Sequence, residues 1–314
     1  MSKTGGQSKK LVAERDKNAE HGGGYMGITG KTKLVGLLGW PVGHTLSPAI
    51  QNAAFQAAGL DYAYVPLAVR PADLPQAVNG LRALGFAGAN VTIPHKTAVI
   101  PLLDSLGKDA ARAGAVNTII VADGRLNGHN TDIQGFLAPL RGSVPLAGQT
   151  VVVFGAGGAA RAVLVALELA GAAETIIAGR DRKKVEALAA SFKTAVPCLL
   201  KDSEMASHLG RASLVVNSTP LGMAPYEDEM VRLDWASINK AAIIYDLIYN
   251  PPETRLLREA ARHGFRVVSG MEMLVEQGAL AFTLWTGLEA PREVMAAALR
   301  EALRRRERGG WIDA

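Results

Sequence analysis

The apolar positions of the chain change period several times, and each change marks an element. From Lys33 to Trp40 they run almost unbroken, as in a buried strand. From Ser47 the spacing turns helical, with Ile50, Ala53, Ala54 and Ala57 on one face. Ser47 is expected there as the N-cap, Pro48 in the first turn and Gly59 just past the end. Tyr62 to Val69 reads as a second strand, Pro71 to Leu84 as a second helix stopped by Gly85, and Ala87 to Ile93 as a third strand. This β-α-β-α-β rhythm predicts an α/β fold. Val116 to Val121 and Leu126 to His129 flank an Asp123-Gly124 turn and predict a hairpin, so the first sheet should be mostly parallel but mixed.

Ile133 to Leu140 suits a connecting helix, and a second alternation then begins at Thr150. Strands are expected at Val151, Thr175, Val196, Leu214, Ala242 and Val267, about six in all, as a doubly wound sheet requires. After Gly270 the pattern is helical to the end, in two segments divided near Pro291. A helical pair without a strand of its own needs a surface to cover, and we expect it to return to the first domain. The expected organisation is therefore two domains, one built from residues 31–132 and 270–314 and a Rossmann-type one from 133–269. Residues 1–30 are polar and aperiodic and are expected to be a disordered tail.

The second alternation opens on Thr150-Val-Val-Val-Phe-Gly-Ala-Gly-Gly-Ala-Ala-Arg161, which reads strand, tight turn, helix. Gly155, Gly157 and Ala160 occupy the small-residue positions of a G-x-G-x-x-A dinucleotide fingerprint. The first allows the turn, the second lets the backbone approach a pyrophosphate, and the third lets helix pack on strand. Ala156, Gly158 and Ala159 complete the turn, whose N-H groups would face the phosphates at the positive end of the helix dipole.

Composition narrows the possibilities. With 314 residues, 48% hydrophobic and 20% charged, the chain has the profile of a soluble globular protein of more than one domain. No apolar run approaches the roughly 20 residues of a membrane span, and the polar start lacks a signal peptide's apolar centre, so the expectation is cytoplasmic. One cysteine, Cys198, excludes an internal disulfide, and no Cys/His cluster has metal-ligand spacing, so no structural metal is expected. The net charge of +5 resides at the two ends: residues 1–30 carry five Lys/Arg against three Asp/Glu, and Arg300 to Arg308 carries five Arg against two Glu. A balanced body with only 5% aromatics argues against nucleic-acid binding.

Which dinucleotide fits is decided after the second strand of the Rossmann-type half. An NAD binder usually places an acid there. This chain has Gly179-Arg180-Asp181-Arg182-Lys183-Lys184. Arg180 is placed to stack on adenine and pair with a 2'-phosphate, and Lys184 adds charge one turn later, so NADP is favoured, with NAD a weaker alternative. Asp181 either caps the helix or, turned inward, binds a ribose hydroxyl. Lys96, in Asn90-Val-Thr-Ile-Pro-His-Lys96, follows a buried strand and is a candidate proton donor and acceptor. Asp132, in Gly128-His-Asn-Thr-Asp132, stands at the junction of the two domains, where a carboxylate can orient the ammonium and a substrate hydroxyl together. His44, His95 and His129 share no partner pattern and are read as structural.

These stretches, with Gly39-Trp-Pro-Val-Gly-His-Thr-Leu-Ser-Pro48, Gly114-Ala-Val-Asn-Thr118, Asn217-Ser-Thr-Pro-Leu-Gly-Met223, Tyr245-Asp-Leu-Ile-Tyr249 and Gly270 to Gln277, occur in one order along the chain. In that order the chain resembles the shikimate dehydrogenases over nearly everything after residue 33. The resemblance implies a substrate domain followed by an NADP-binding one, and NADPH-dependent, reversible reduction of 3-dehydroshikimate to shikimate on the route to chorismate and the aromatic amino acids. It implies Lys96 as acid/base, Asp132 at the reacting hydroxyl, and Thr45 and Ser47 on the substrate carboxylate. Thr92, Asn117, Tyr249 and Gln277 match substrate-lining residues, while Leu247 and Gly270 match backbone contacts near the nicotinamide. Two positions depart from the family pattern, Thr45 where serine is usual and Gly179-Arg180-Asp181 where Asn-Arg-Thr is usual. They leave open a quinate/shikimate dehydrogenase of broader substrate and cofactor use. A non-catalytic NADP-sensing module is the reading from a different class, and it would need neither Lys96 nor Asp132. Monomer and homodimer are equally compatible with the sequence.

Overall fold

The computed structural model describes residues 27–308, so the tail expectation lies, for residues 1–26, outside the described residues. The first six strands are β1 (Lys33–Gly39), β2 (Tyr62–Ala68), β3 (Gly88–Val91), β4 (Ser105–Leu106), β5 (Thr118–Ala122) and β6 (Arg125–His129). They form one sheet in the order β2-β1-β3-β5-β6-β4. β1 pairs in parallel with β2 and β3, whereas β5 is antiparallel to both β3 and β6. The mixed character follows from the hairpin, where Asp123 and Gly124 take φ of 50° and 70° and reverse the chain in two residues. The second sheet contains β7 (Thr150–Phe154), β8 (Glu174–Gly179), β9 (Ala195–Leu199), β10 (Ala212–Asn217), β11 (Ile243–Asp246) and β12 (Arg266–Val268). Its order is β12-β11-β10-β7-β8-β9 and every pairing is parallel, the doubly wound arrangement with its switch point between β7 and β10.

Ten α-helices are described: α1 (Ser47–Ala57), α2 (Leu74–Ala83), α3 (Lys108–Ala113), α4 (Asp132–Leu137), α5 (Gly158–Leu169), α6 (Arg182–Ala189), α7 (Met205–Arg211), α8 (Arg255–Arg262), α9 (Gly270–Thr286) and α10 (Arg292–Glu307). They cover both faces of each sheet, and strand alternation decides which core each side chain joins. In β7, Val151 and Val153 pack with α5 and with Phe136 of α4, whereas Val152 and Phe154 pack with α7 and α8. In the first sheet, Val35, Leu37 and Tyr64 face α1, α9 and α10, and Leu38, Ala89 and Val91 face α2 and α3. The C-terminal helical pair thus does close over the first sheet, through Phe282, Trp285, Met295 and Leu299.

Helix α1 departs from its expected details in two ways. Its buried face is Ile50, Gln51, Ala54 and Phe55, while Ala57 is exposed. Gln51 is buried because its amide donates to Gly278 O at 2.9 Å, a partner from α9 that no local pattern reveals. Ser47 is not the N-cap but the first helical residue, and the Ser47 N–H is received instead by Thr45 Oγ1 at 3.3 Å. Leu46, at the capping position, has no side-chain acceptor and a helical backbone, so the cap moves back to the nearest hydroxyl.

Candidate active site

The strand ends converge on one cleft. β1 and β3 from the first sheet, with the segments that follow β7 and β11 in the second, line a cavity of about 200 Å³. Such edges are where α/β sheets bind ligands, because the strands stop there and the following loops stay open. All eight residues expected at the substrate or the chemistry line it: Thr45, Ser47, Thr92, Lys96, Asn117, Asp132, Tyr249 and Gln277. Ala159, Leu247 and Gly270, expected on the cofactor side, complete the wall.

Lys96 Nζ and Asp132 Oδ2 are 2.6 Å apart, and their side chains are only 18% and 8% exposed. The second carboxylate oxygen of Asp132 accepts from Asn117 Nδ2 at 2.8 Å. Asn117 is held in turn, its Oδ1 receiving the Thr131 N–H at 2.8 Å and its Nδ2 reaching Thr131 Oγ1 at 2.9 Å. The amide that aims the carboxylate is therefore itself aimed, which helps a buried ion pair offset lost hydration. Gln277, from α9, donates its amide N–H to Leu274 O at 3.1 Å and receives only a long 3.4 Å contact from Asn117 Nδ2 at Oε1.

A second layer lies behind Ser47, and sequence reasoning missed it. Ser47 neighbours the Tyr64 phenol, which donates to Asn90 Oδ1 at 2.7 Å. Asn90 Nδ2 then donates to Asn117 O and to Thr118 Oγ1, both at 3.0 Å. Burial raises the pKa of the Tyr64 and Tyr249 phenols above the usual value, so both are neutral donors in the physiological range. An asparagine inside a buried strand was a visible signal for Asn90. Tyr64 carried none, because its role comes from the parallel register of β2, β1 and β3.

His44 also lines the cleft, contrary to its reading as structural, and burial followed by the nearby Arg306 charge lowers its pKa. His95 does have a structural place, buried with Nε2 2.7 Å from Val69 O. His129 packs near Gly107, and its pKa is lowered by burial.

On the cofactor side, Gly155 takes φ of +112°, and a Cβ there would come within 2.6 Å of Ser218 Oγ. Only glycine makes that turn. Around a Cβ placed on Gly157 there is open space, so the helix start carries an unfilled backbone cradle of the kind a pyrophosphate fits. Gly270 has the opposite constraint, since a Cβ would run into the Leu247 carbonyl. Arg180 and Lys184 are exposed beyond Gly179 at the end of β8. Asp181 caps α6, accepting from the Lys184 N–H at 3.2 Å, which is the first of its two expected uses.

Family models match three stretches of the chain: residues 37–119 the shikimate dehydrogenase substrate binding domain, 140–252 shikimate / quinate 5-dehydrogenase, and 270–300 the shikimate 5'-dehydrogenase C-terminal domain. A shikimate dehydrogenase (NADP(+)) of Moorella thermoacetica is 49% identical over 88% of this chain and 95% of its own length. The chain belongs to the shikimate dehydrogenase family. Among solved structures, the shikimate 5-dehydrogenase of Thermus thermophilus in complex with NADP(H) and shikimate is 39% identical, with a TM-score of 0.78 over 87% of this chain and all (100%) of the other. Quinate dehydrogenase from Corynebacterium glutamicum in complex with NAD is 32% identical, with a TM-score of 0.79 over 86% of this chain and 99% of the other. This shikimate dehydrogenase family member thus has structural relatives named for either acid. Among its described residues no helix is long and apolar enough to cross a membrane.

Proposed function

We propose that the cleft catalyses the NADPH-dependent, reversible reduction of 3-dehydroshikimate to shikimate, with Lys96 as the acid/base. The observation that carries this reading is the buried Lys96–Asp132 pair at 2.6 Å inside the cavity. NADPH supplies the hydride when bound. As the ketone carbon accepts it, negative charge grows on the oxygen, and Lys96 Nζ neutralises that charge by giving up a proton. Asp132 keeps the ammonium aimed and accepts from the substrate hydroxyl next to the reacting carbon. Asn117 keeps Asp132 from turning away. Thr45 and Ser47 hold the carboxylate at the other end, while Thr92, Tyr249 and Gln277 select the ring face presented to the nicotinamide.

In this reading residues 31–132 and 270–314 form the substrate-binding part and 133–269 the NADP-binding part. Gly155, Ala156, Gly157, Gly158 and Ala159 hold the pyrophosphate, and Leu247 and Gly270 flank the nicotinamide. Gly179, Arg180 and Lys184 surround the adenosine 2'-phosphate. In this reading the protein acts in the cytoplasm as a monomer or homodimer, without membrane partners and without nucleic-acid partners, the last supported by the balanced charge of the body.

Initial rates with shikimate and quinate, each against NADP and NAD, test the assignment. The highest kcat/KM is expected for shikimate with NADP. Higher efficiency with quinate or with NAD would favour the broader quinate/shikimate dehydrogenase, the second reading that Thr45 and Asp181 keep open. No turnover of either acid, with NADP still bound, would leave a sensing module.

A further inference from the structure

The arginines at the end of the chain have no part in the site as described so far. Arg304, Arg305 and Arg306 share the last turn of α10 but point in different directions. Arg304 and Arg305 lie 4.0 and 3.0 Å from the Glu301 carboxylate on the solvent side. Arg306 follows Met295 by three turns, about 11 residues at 3.6 per turn, and so falls on the face that buries Met295, Leu299 and Leu303. That face packs on α1, and the first residues of α1 and its approach loop are the carboxylate end of the cleft.

The position of the guanidinium follows from this helical phase. Arg306 Nη2 donates to Gly43 O at 3.4 Å, and Gly43 directly precedes the cleft residues His44 and Thr45. The charge is felt at two further points of the same wall. It adds to burial in lowering the pKa of His44, and it opposes burial at the Tyr249 phenol. A cation borne by the C-terminal helix therefore stands on the same side as the positive N-terminal end of α1, and the two fields add where a carboxylate would sit.

We propose that Arg306 is a substrate-affinity residue: its guanidinium, at Gly43 O where the loop to Ser47 begins, attracts the carboxylate held by Thr45 and Ser47 and so lowers KM for acid substrates. This rests on the carboxylate being bound at that end of the cleft. Arg306 is half-buried and stands behind the residues that line the cavity, so its charge works through attraction rather than through contact, and its loss appears in KM and in salt dependence rather than in kcat. The competing role is complementing the dipole at the C-terminus of α10, which would alter helix stability without regard to the charge of the substrate.

The experiment compares wild type with Arg306→Gln on shikimate and on its uncharged methyl ester, at low and high ionic strength with saturating NADP. The expected result is a rise of about 3- to 10-fold in KM for shikimate at low salt, shrinking at high salt, with no comparable rise for the ester. Arg306→Lys should restore most of the shikimate affinity. An unchanged KM for shikimate, or an equal change for acid and ester, would overturn the proposal. Ser47→Ala keeps that outcome separate from failure of the underlying reading. If it weakens shikimate binding while Arg306→Gln does not, the carboxylate site stands and Arg306 is not part of it. If neither variant affects the acid, the carboxylate is bound elsewhere.

Discussion

Two lysine–aspartate pairs stand at opposite ends of the molecule's chemistry, and they are built differently. Lys96 and Asp132 are 2.6 Å apart with side chains 18% and 8% exposed, while Lys184 and Asp181 are 3.9 Å apart and 74% and 53% exposed. The first pair is locked by Asn117 and Thr131, so its geometry exists before any ligand arrives. The second is a loose pair in water, where ion pairing contributes about 0 to 1 kcal/mol, and its lysine stays available to another anion. The contrast teaches which task needs which construction. Proton transfer needs reacting atoms held within a fraction of an ångström, whereas attracting a phosphate needs charge at approximately the right place.

The largest expected effect tests the buried pair. Lys96→Ala should lower kcat by about 10² to 10⁴, the range for removing a general acid/base, with little change in shikimate affinity. Near-native turnover in that variant would break the comparison, because the rigid pair would then be structural only.

Asp246 sharpens the comparison by supplying a buried carboxylate without a cation. It accepts from Asn217 Nδ2 at 2.9 Å, the Ile248 N–H at 3.1 Å and Thr254 Oγ1 at 2.6 Å, yet burial outweighs these donors and pushes its pKa up to about 6. Because the folded value lies above the unfolded one, folding favours the protonated acid. Its contribution to stability is complete below about pH 4 and is lost as pH rises through about 6. Between pH 4 and 7, unfolding free energies of Asp246→Asn and wild type should shift in the variant's favour by on the order of 3 kcal/mol. A pH-independent difference would mean that the donors had offset burial after all.

The exposed end is tested by Arg180→Ala, which should raise KM for NADP about 10- to 100-fold, as expected for losing charge-assisted hydrogen bonds, and leave KM for NAD nearly unchanged. Equal weakening of both cofactors would show that Arg180 acts on adenine or on the fold rather than on a 2'-phosphate.

The smallest effect is expected at Thr45, whose hydroxyl is already occupied as an acceptor for the Ser47 N–H. Serine can make the same bond, so Thr45→Ser removes only a methyl group and a torsional restraint. The ratio of kcat/KM for shikimate to that for quinate should move by roughly 10-fold, the low end for a methyl-sized change in a pocket. If the ratio does not move, the methyl points away from the ring carbon that bears the carboxylate, and Tyr249 or Gln277 sets the preference.

The strands other than the two-residue edge strand β4, the hairpin, the glycine turn and the terminal helical pair were legible in the chain because each depends on neighbours a few residues away. Lys96 and Asp132 were legible for a related reason, since each follows directly on a strand whose end the sequence marks. Tyr64 was not legible, because its phenol reaches Asn90 only after β2, β1 and β3 are in parallel register. The expected cap at Ser47 failed for the reverse reason. Local propensity pointed to Ser47, but the helical backbone of Leu46 puts Ser47 inside the helix and leaves its N–H to Thr45 Oγ1.

By itself the sequence determined the α/β periodicity, the dinucleotide turn and the identity of the groups that carry charge, since backbone sterics and side-chain chemistry are properties of short segments. Only the tertiary structure decided which of those charges are desolvated. Lys96 is held at a buried carboxylate, that of Asp132 at the start of α4, whereas Arg180 and Lys184 stand exposed past the end of β8. Desolvation depends on what covers a group from distant parts of the chain, and electrostatic strength depends on desolvation.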